Sequence, residues 1–120
     1  MNTTTVHLHS TVPVLPVPDI AEAKAFYNDK LGFTVEFEAG DYYIGVTRDE
    51  ALLHLDGVVN AGAGMVTCRI EADGVDDLYA ELEPAGVIDP EEPIRTTPWG
   101  SRQFSVRDCC GNRLTFVRSA

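Results

Sequence analysis

His54 is the residue whose type and setting best suit chemistry in this chain of 120 residues. It alternates with Leu53 and Leu55, which are expected to face the helices, so its imidazole should lie on the opposite, concave side of a β-sheet. An imidazole can bind a metal ion, move a proton or make a hydrogen bond. Because His54 stands alone in its segment, we interpret it as a hydrogen-bonding or stacking residue rather than as a metal ligand.

Aromatic and acidic residues flank a predicted turn upstream of His54. Phe37 and the pair Tyr42-Tyr43 offer flat rings, and Glu38 and Asp41 offer carboxylates. Such rings stack on a planar heteroaromatic group, while carboxylates attract a cation. Strand alternation turns the two tyrosines to opposite sides. The sequence leaves open which of them faces the concave side, and we name Tyr43 as the expected contact.

The only tryptophan, Trp99, lies between Pro98 and Gly100 in a predicted loop. A tryptophan in a loop either anchors the loop on the protein surface or offers a plate on which a ligand stacks. We include Trp99 and Gly100 in the candidate ligand-binding set, together with Phe37, Glu38, Asp41, Tyr43 and His54. None of these residues is predicted to be catalytic.

The charge balance excludes some partners. Nine basic and nineteen acidic residues give a formal net charge of −10. A protein that binds nucleic acid needs a cationic face to displace phosphate counterions, and an anionic membrane surface makes a similar demand. We therefore expect neither partner, and the charge favours a cationic small molecule.

Two repeats of one strand, one helix and three strands position these residues. In the first half a proline-interrupted edge strand spans 11–18, and a helix capped by Asp19 continues to Leu31-Gly32. Three strands follow at 33–37, 42–47 and 51–55. In the second half a strand at 65–70 and a helix at 75–82, ended by Pro84, precede strands at 94–96, 102–106 and 113–117.

The predicted fold class is therefore α+β, with two tandem βαβββ modules in a single domain of residues 1–120. Module one spans about 11–56 and module two about 64–118. A module of this size cannot bury its own sheet face, because so short a chain hides too little surface. Two modules side by side can do so, and their curved sheets would enclose a cleft, which is where small ligands usually bind.

This layout resembles the vicinal-oxygen-chelate superfamily, which includes glyoxalase I, extradiol dioxygenases and bleomycin resistance proteins. The resemblance rests on the opening Val17-Pro18-Asp19, on Phe26-Tyr27 in the helix, and on Leu31-Gly32-Phe33 at its end. The segment 98–108, Pro-Trp-Gly-Ser-Arg-Gln-Phe-Ser-Val-Arg-Asp, followed by Gly111-Asn112, is similar to the bleomycin-binding branch.

The superfamily's metal positions argue against metal chemistry. In metal-dependent members four inward-facing His, Glu or Gln side chains hold the ion, and the matching positions here are Val12, His54, Met65 and Thr115. Only the imidazole is a strong ligand for a divalent ion. We therefore expect no metal, no cofactor and no metal-dependent catalysis.

The resemblance implies resistance by non-covalent sequestration of a bleomycin-type glycopeptide antibiotic, with no enzymatic step. It also implies a homodimer whose interface forms the groove, with the first strand, marked by Pro13, exchanged between subunits. Two alternatives stay open: a small metal-dependent lyase or isomerase of the glyoxalase type, built on His54 and a residue outside the usual four, or a binding protein for another planar metabolite.

The cysteines and the first residues favour a cytoplasmic location. Three cysteines, of which Cys109 and Cys110 are adjacent, do not form a disulfide framework. The first residues show no basic and apolar pattern of a signal peptide, and no apolar run approaches the length of a membrane span.

Overall fold

The computed structural model describes residues 5–58 and 66–120. They form two successive βαβββ modules, which confirms the predicted fold class. The first module contains β1 (Val14–Pro16), α1 (Ile20–Asp29), β2 (Thr34–Ala39), β3 (Tyr43–Arg48) and β4 (Ala51–Asp56). The second contains β5 (Thr67–Glu71), α2 (Val75–Leu82), β6 (Arg95–Thr96), β7 (Arg102–Arg107) and β8 (Arg113–Arg118).

Each module builds one four-stranded sheet, and the two sheets have the same strand order. The orders are β1-β4-β3-β2 and β5-β8-β7-β6. In both sheets the first strand pairs in parallel with the last strand of its module, while the other pairs are antiparallel. The internal repeat predicted from the sequence is therefore a repeat of topology.

Helix α1 forms where the sequence predicts it. The Asp19 carboxylate accepts a hydrogen bond from the backbone N–H of Glu22 at 3.1 Å, which satisfies one free amide of the first turn. Ile20, Ala23 and Tyr27 are buried on one face. The α-helix ends at Asp29, slightly before the predicted end at Leu31-Gly32.

Helix α2 ends as the proline predicts. Gly74 precedes its first turn without a side-chain cap, and the helix stops at Leu82. Pro84 then lies in a short 3₁₀ turn, Glu83–Ala85, because its ring cannot continue an α-helix. Val75 and Leu82 are the residues this helix buries most completely.

One hydrophobic core runs through both modules, and polar contacts join them. The buried Tyr27 hydroxyl donates to Asp108 Oδ2 at 2.8 Å. The Asn112 side-chain amide donates to the Pro16 carbonyl at 2.9 Å. Since a buried donor or acceptor left without its partner costs about 1–3 kcal/mol, these contacts hold the modules in one arrangement.

Strand β1 lies at a sheet edge, as its prolines predict. It pairs with β4 of the same chain, and the Pro13 carbonyl accepts a hydrogen bond from the His54 backbone N–H at 3.0 Å. The exchange of this strand between two chains stays a prediction. In the described ranges, no helix combines the length and apolar character that crossing a membrane requires.

Candidate functional site

Three aromatic side chains lie together on the first sheet, on the side turned away from the core. Phe37 stacks beside Tyr43, with ring centroids 6.3 Å apart and an interplanar angle of 25°. The His54 ring meets both edge-on, at centroid distances of 5.1 Å from Phe37 and 5.3 Å from Tyr43. We call the group Phe37, Tyr43 and His54 the aromatic face.

Strand register brings these three rings together across β2, β3 and β4. Gly45 pairs with His54 on one side and with Phe37 on the other. A Cβ atom at position 45 would lie 2.7 Å from Phe37 Cδ1, so the glycine leaves the space that the ring occupies. The aromatic face therefore depends on a residue that the sequence analysis did not single out.

A hydrogen bond fixes the polar edge of the aromatic face. The Tyr43 hydroxyl and His54 Nδ1 are 2.8 Å apart. Leu53 and Leu55, the neighbours of the histidine, are almost fully buried in the core, which confirms the predicted alternation. His54 thus makes one hydrogen bond and two edge-on ring contacts within this chain. Of the two tyrosines, Tyr43 is the one on the open side, while Tyr42 is 52% exposed next to Gly40.

Glu38 does not lie with the aromatic face, which corrects the predicted arrangement. A bulge between Val35 and Phe37 shifts the register of β2, and Glu38 pairs with the fully buried Ile44. Its side chain therefore points to the helix side, where it accepts a hydrogen bond from Lys24 of α1 at 3.1 Å. Asp41 is exposed in the turn between β2 and β3, next to the aromatic face in sequence.

Trp99 and Gly100 lie in the turn between β6 and β7, in the second module. Backbone hydrogen bonds between Thr97 and Ser101 close the turn, and Gly100 adopts a φ of 95°, which favours glycine. The Trp99 side chain is 66% exposed. Within the described ranges no ring contact joins it to the aromatic face, so one chain presents two separate sets of candidate contacts.

The described superfamily metal positions do not form a ligand set. His54 Nδ1 is engaged by Tyr43, and the Thr115 hydroxyl lies 2.8 Å from that of Ser105. Val12 has no ligand atom, and Met65 lies outside the described residues. The donor chemistry at these positions therefore does not fit the ion that metal-dependent members hold.

Another group with metal-ligating atoms is Asp108, Cys109 and Cys110, whose candidate ligand atoms lie within 4.8 Å of one another. The Asp108 carboxylate already accepts hydrogen bonds from Tyr27, from two backbone amides and from Asn112. Burial raises the pKa of both thiols, which opposes the thiolate form that metals bind. Asp108 therefore organises the turn between β7 and β8 and joins it to Tyr27 of the first module.

An open groove of about 820 Å³ lies elsewhere, between the two modules. Leu53, Phe33 and Phe116 contribute to its lining, and the ion pair of Arg48 with Glu81 lies beside it. None of the three rings of the aromatic face lines this groove. The groove is a cavity separate from the candidate ligand contacts, because none of the residues in that set lines it.

Sequence reasoning missed an ion-pair cluster in the second module. Asp89, which is only 1% exposed, accepts hydrogen bonds from Arg107 Nε at 2.8 Å and from Arg113 Nε at 3.0 Å. Side chains alternate along β7 and β8, so both arginines lie on the face of the sheet that points away from the core residues Val106 and Leu114. That alternation is visible in the sequence, but the partner Asp89 comes from a loop without a recognisable pattern.

Comparisons with known proteins agree with this fold. A family model described as glyoxalase superfamily protein matches residues 2–120. A bleomycin resistance protein of Geobacillus stearothermophilus is 32% identical over 126 residues, covering 90% of this chain and 95% of that protein. A bleomycin resistance protein of Staphylococcus aureus shows the same identity and coverage.

Solved structures show the same architecture. A bleomycin-binding protein from bleomycin-producing Streptomyces verticillus, complexed with copper(II)-bleomycin, has a TM-score of 0.81 and 29% identity, covering 97% of this chain and 99% of that one. A lactoylglutathione lyase from Agrobacterium tumefaciens has a TM-score of 0.73 and 18% identity, covering 98% and 96%. The lyase shares the fold alone, so the fold serves both binding proteins and enzymes.

Proposed function

This chain belongs to the glyoxalase superfamily, and on that premise we propose that it protects a cell by sequestering a bleomycin-type glycopeptide without chemical change. The observation that carries the proposal is the aromatic face, where Phe37, Tyr43 and His54 form a stacking surface. A planar heteroaromatic group binds such a surface through stacking and burial. The net charge of −10 favours the approach of a cationic drug.

The relatives support this ligand over others. Bleomycin resistance proteins align with nearly all of this chain at 32% identity, and the Streptomyces verticillus protein was solved with copper(II)-bleomycin. The residues at the superfamily's metal positions lack a ligand set, which supports binding without catalysis. The drug would retain its own metal ion, and the protein would supply the rings and hydrogen bonds around it.

We further propose that the binding groove forms between two copies of the chain, in the reducing cytoplasm. The aromatic face belongs to module one and Trp99 to module two, and among the described residues no ring contact joins them within one chain. A two-fold dimer places the same two surfaces in each of two equivalent sites. Each groove would then combine the aromatic face of one subunit with the Trp99 turn of the other.

Fluorescence of Trp99 tests drug binding directly, because this is the only tryptophan. Titration with bleomycin should change the emission saturably at micromolar drug, both for the metal-free drug and for its copper complex. The matched control is His7→Ala, which alters an exposed residue of the N-terminal segment. The absence of a saturable change would refute sequestration. Binding to Trp99→Ala, which lacks the fluorophore, is measured by isothermal calorimetry, and undiminished binding there would refute only the assignment of that residue.

Mixing two variants tests whether the groove is shared. Phe37→Ala and Trp99→Ala should each bind weakly as separate preparations. When the two are refolded together, half of the mixed dimers' grooves carry both changes and the other half carry neither. Recovery of drug binding in the mixture supports a shared groove. If both residues act within one chain, every groove keeps one defect and mixing restores nothing.

A further inference from the structure

The second sheet concentrates the positive charge of this acidic protein. Six of the nine basic residues lie on its strands: Arg69, Arg95, Arg102, Arg107, Arg113 and Arg118. Arg107 and Arg113 are directly paired neighbours on β7 and β8. Both point to the side opposite the core, whereas Arg102 points to the helix side and pairs with Asp76 of α2 at 2.8 Å.

Asp89 holds this arginine pair in position. Its carboxylate is 1% exposed and accepts the Nε hydrogen of both guanidinium groups through Oδ2. Burial alone would raise the pKa of Asp89, but the hydrogen bonds from Arg107 and from the Glu91 backbone outweigh it and hold the pKa below its ordinary value. One buried negative charge therefore faces two positive charges.

The pair retains hydrogen-bond donors after this contact. A guanidinium carries five N–H groups in a planar fork. Among the described residues, Arg107 donates to Asp89 through Nε, and its outer nitrogens make no hydrogen bond. Arg113 donates to Asp89 through Nε, and its Nη2 also lies 3.0 Å from Asp89 Oδ2, which leaves Nη1 as its outward donor. The Arg107 side chain is 41% exposed and that of Arg113 is 21% exposed. These groups are fixed in orientation and open to a ligand.

Other carboxylates around the pair do not neutralise it fully. Glu91 lies 3.8 Å from Arg113 Nη2, but its side chain is 78% exposed and solvent screens it. On the same face the next paired residues along the two strands are Ser105 and Thr115. Their hydroxyls lie about 7 Å further along the strands. The surroundings of the pair are thus polar, and the two hydroxyls bond to each other.

We propose that Arg107 and Arg113 form a binding site for an oxyanion, such as the phosphate, sulfate or carboxylate group of a small ligand. Two guanidinium groups oriented by a common buried carboxylate match the spread of oxygens on such a group. The site needs only one chain, so it stands apart from the proposed capture of bleomycin. A ligand that binds this face of the second sheet is therefore expected to carry an anionic or oxygen-rich group.

Phosphate titration of the protein tests the site without any drug. Isothermal calorimetry at constant ionic strength, with chloride as the balancing ion, should give a dissociation constant of roughly 1 mM, as two charge-assisted hydrogen bonds imply. Arg107→Gln should weaken phosphate binding at least about tenfold. Arg102→Gln is the matched control, because it removes the same charge from the opposite face of the same strand.

A spectroscopic readout on the unaltered protein guards against a folding defect in the variants. Phosphate should shift the ¹⁵Nε resonances of Arg107 and Arg113 while that of Arg102 stays in place. Arg113→Lys, which keeps the charge but loses the planar fork, should bind phosphate more weakly than the unaltered protein. Failure to saturate at about 20 mM phosphate would overturn the proposal, given the expected affinity. Equal weakening by Arg102→Gln and Arg107→Gln would also overturn it, because only general charge would then be acting.

Discussion

Gly45 is the position where a one-carbon change should alter the ligand surface most selectively. A Cβ at this position would lie 2.7 Å from Cδ1 and 3.1 Å from Cζ of Phe37. Contacts of this length are repulsive, so Gly45→Ala must turn the phenyl ring away. Because Phe37 is half-buried on an open face, the ring has solvent into which it can move.

Two opposing terms set the effect of Gly45→Ala on stability. Replacing a strand glycine by alanine gains about 0.5–1 kcal/mol of backbone entropy. Forcing the ring from its position costs about 0.5–1.5 kcal/mol in rotamer strain, and the lost ring contacts cost a similar amount. We therefore expect the free energy of unfolding, measured with urea, to fall by no more than about 2.5 kcal/mol.

Ligand binding should weaken measurably even where the opposing terms leave the stability almost unchanged. Loss of one aromatic contact, worth about 0.5–1.5 kcal/mol, weakens a complex about two- to tenfold. Trp99 fluorescence titration with bleomycin measures this change. In a Phe37→Ala background the effect of Gly45→Ala should disappear, since the ring it displaces is absent. Undiminished binding by Gly45→Ala, or an equal effect in both backgrounds, would refute the role assigned to the ring.

Three further predictions concern the joint between the modules and the buried acid. Tyr27→Phe removes the hydrogen bond to Asp108 and should lower the free energy of unfolding by about 1–3 kcal/mol in urea; an unchanged urea midpoint would contradict the role of this contact. Because burial raises the pKa of Cys109 and Cys110, both thiols should react with iodoacetamide more slowly than a free cysteine at pH about 8, and peptide mapping showing fast labelling would count against it. Because its pKa is lowered, the ionised Asp89 carboxylate stabilises the fold above the ordinary aspartate pKa, and this stabilisation is lost as pH falls through the lowered pKa. Asp89→Asn should therefore flatten the acid limb of the curve of unfolding free energy against pH. An identical acid limb would argue against an ionised carboxylate.

The predictable part of the fold is the part encoded by local pattern. Asp19 caps α1 as predicted, and Pro84 ends α2. The alternation of Leu53, His54 and Leu55 predicts which side of β4 faces the core, and the structure confirms it. Each of these signals depends only on residues a few positions apart, so it can be read without knowing the contacts made by the rest of the chain.

The unpredicted part of the site depends on contacts between distant residues. The bulge after Val35 reverses the alternation of β2 and moves Glu38 to the helix side. No residue type in this segment predicts the bulge. The same applies to Asp89, which reaches Arg113 across 24 positions. The glycine at position 45 can be read from the sequence, but the reason for it, room for the Phe37 ring, is evident only once the strand register pairs the two residues.

We propose that this chain binds bleomycin and leaves it unaltered. Isothermal calorimetry with copper(II)-bleomycin, followed by mass spectrometry of the released drug, tests both halves in one experiment. We predict saturable binding of one drug molecule per chain, since a two-fold dimer has two equivalent grooves, and recovery of the drug with its original mass. A flat titration would refute binding, and a drug released with a changed mass would refute sequestration without chemical change.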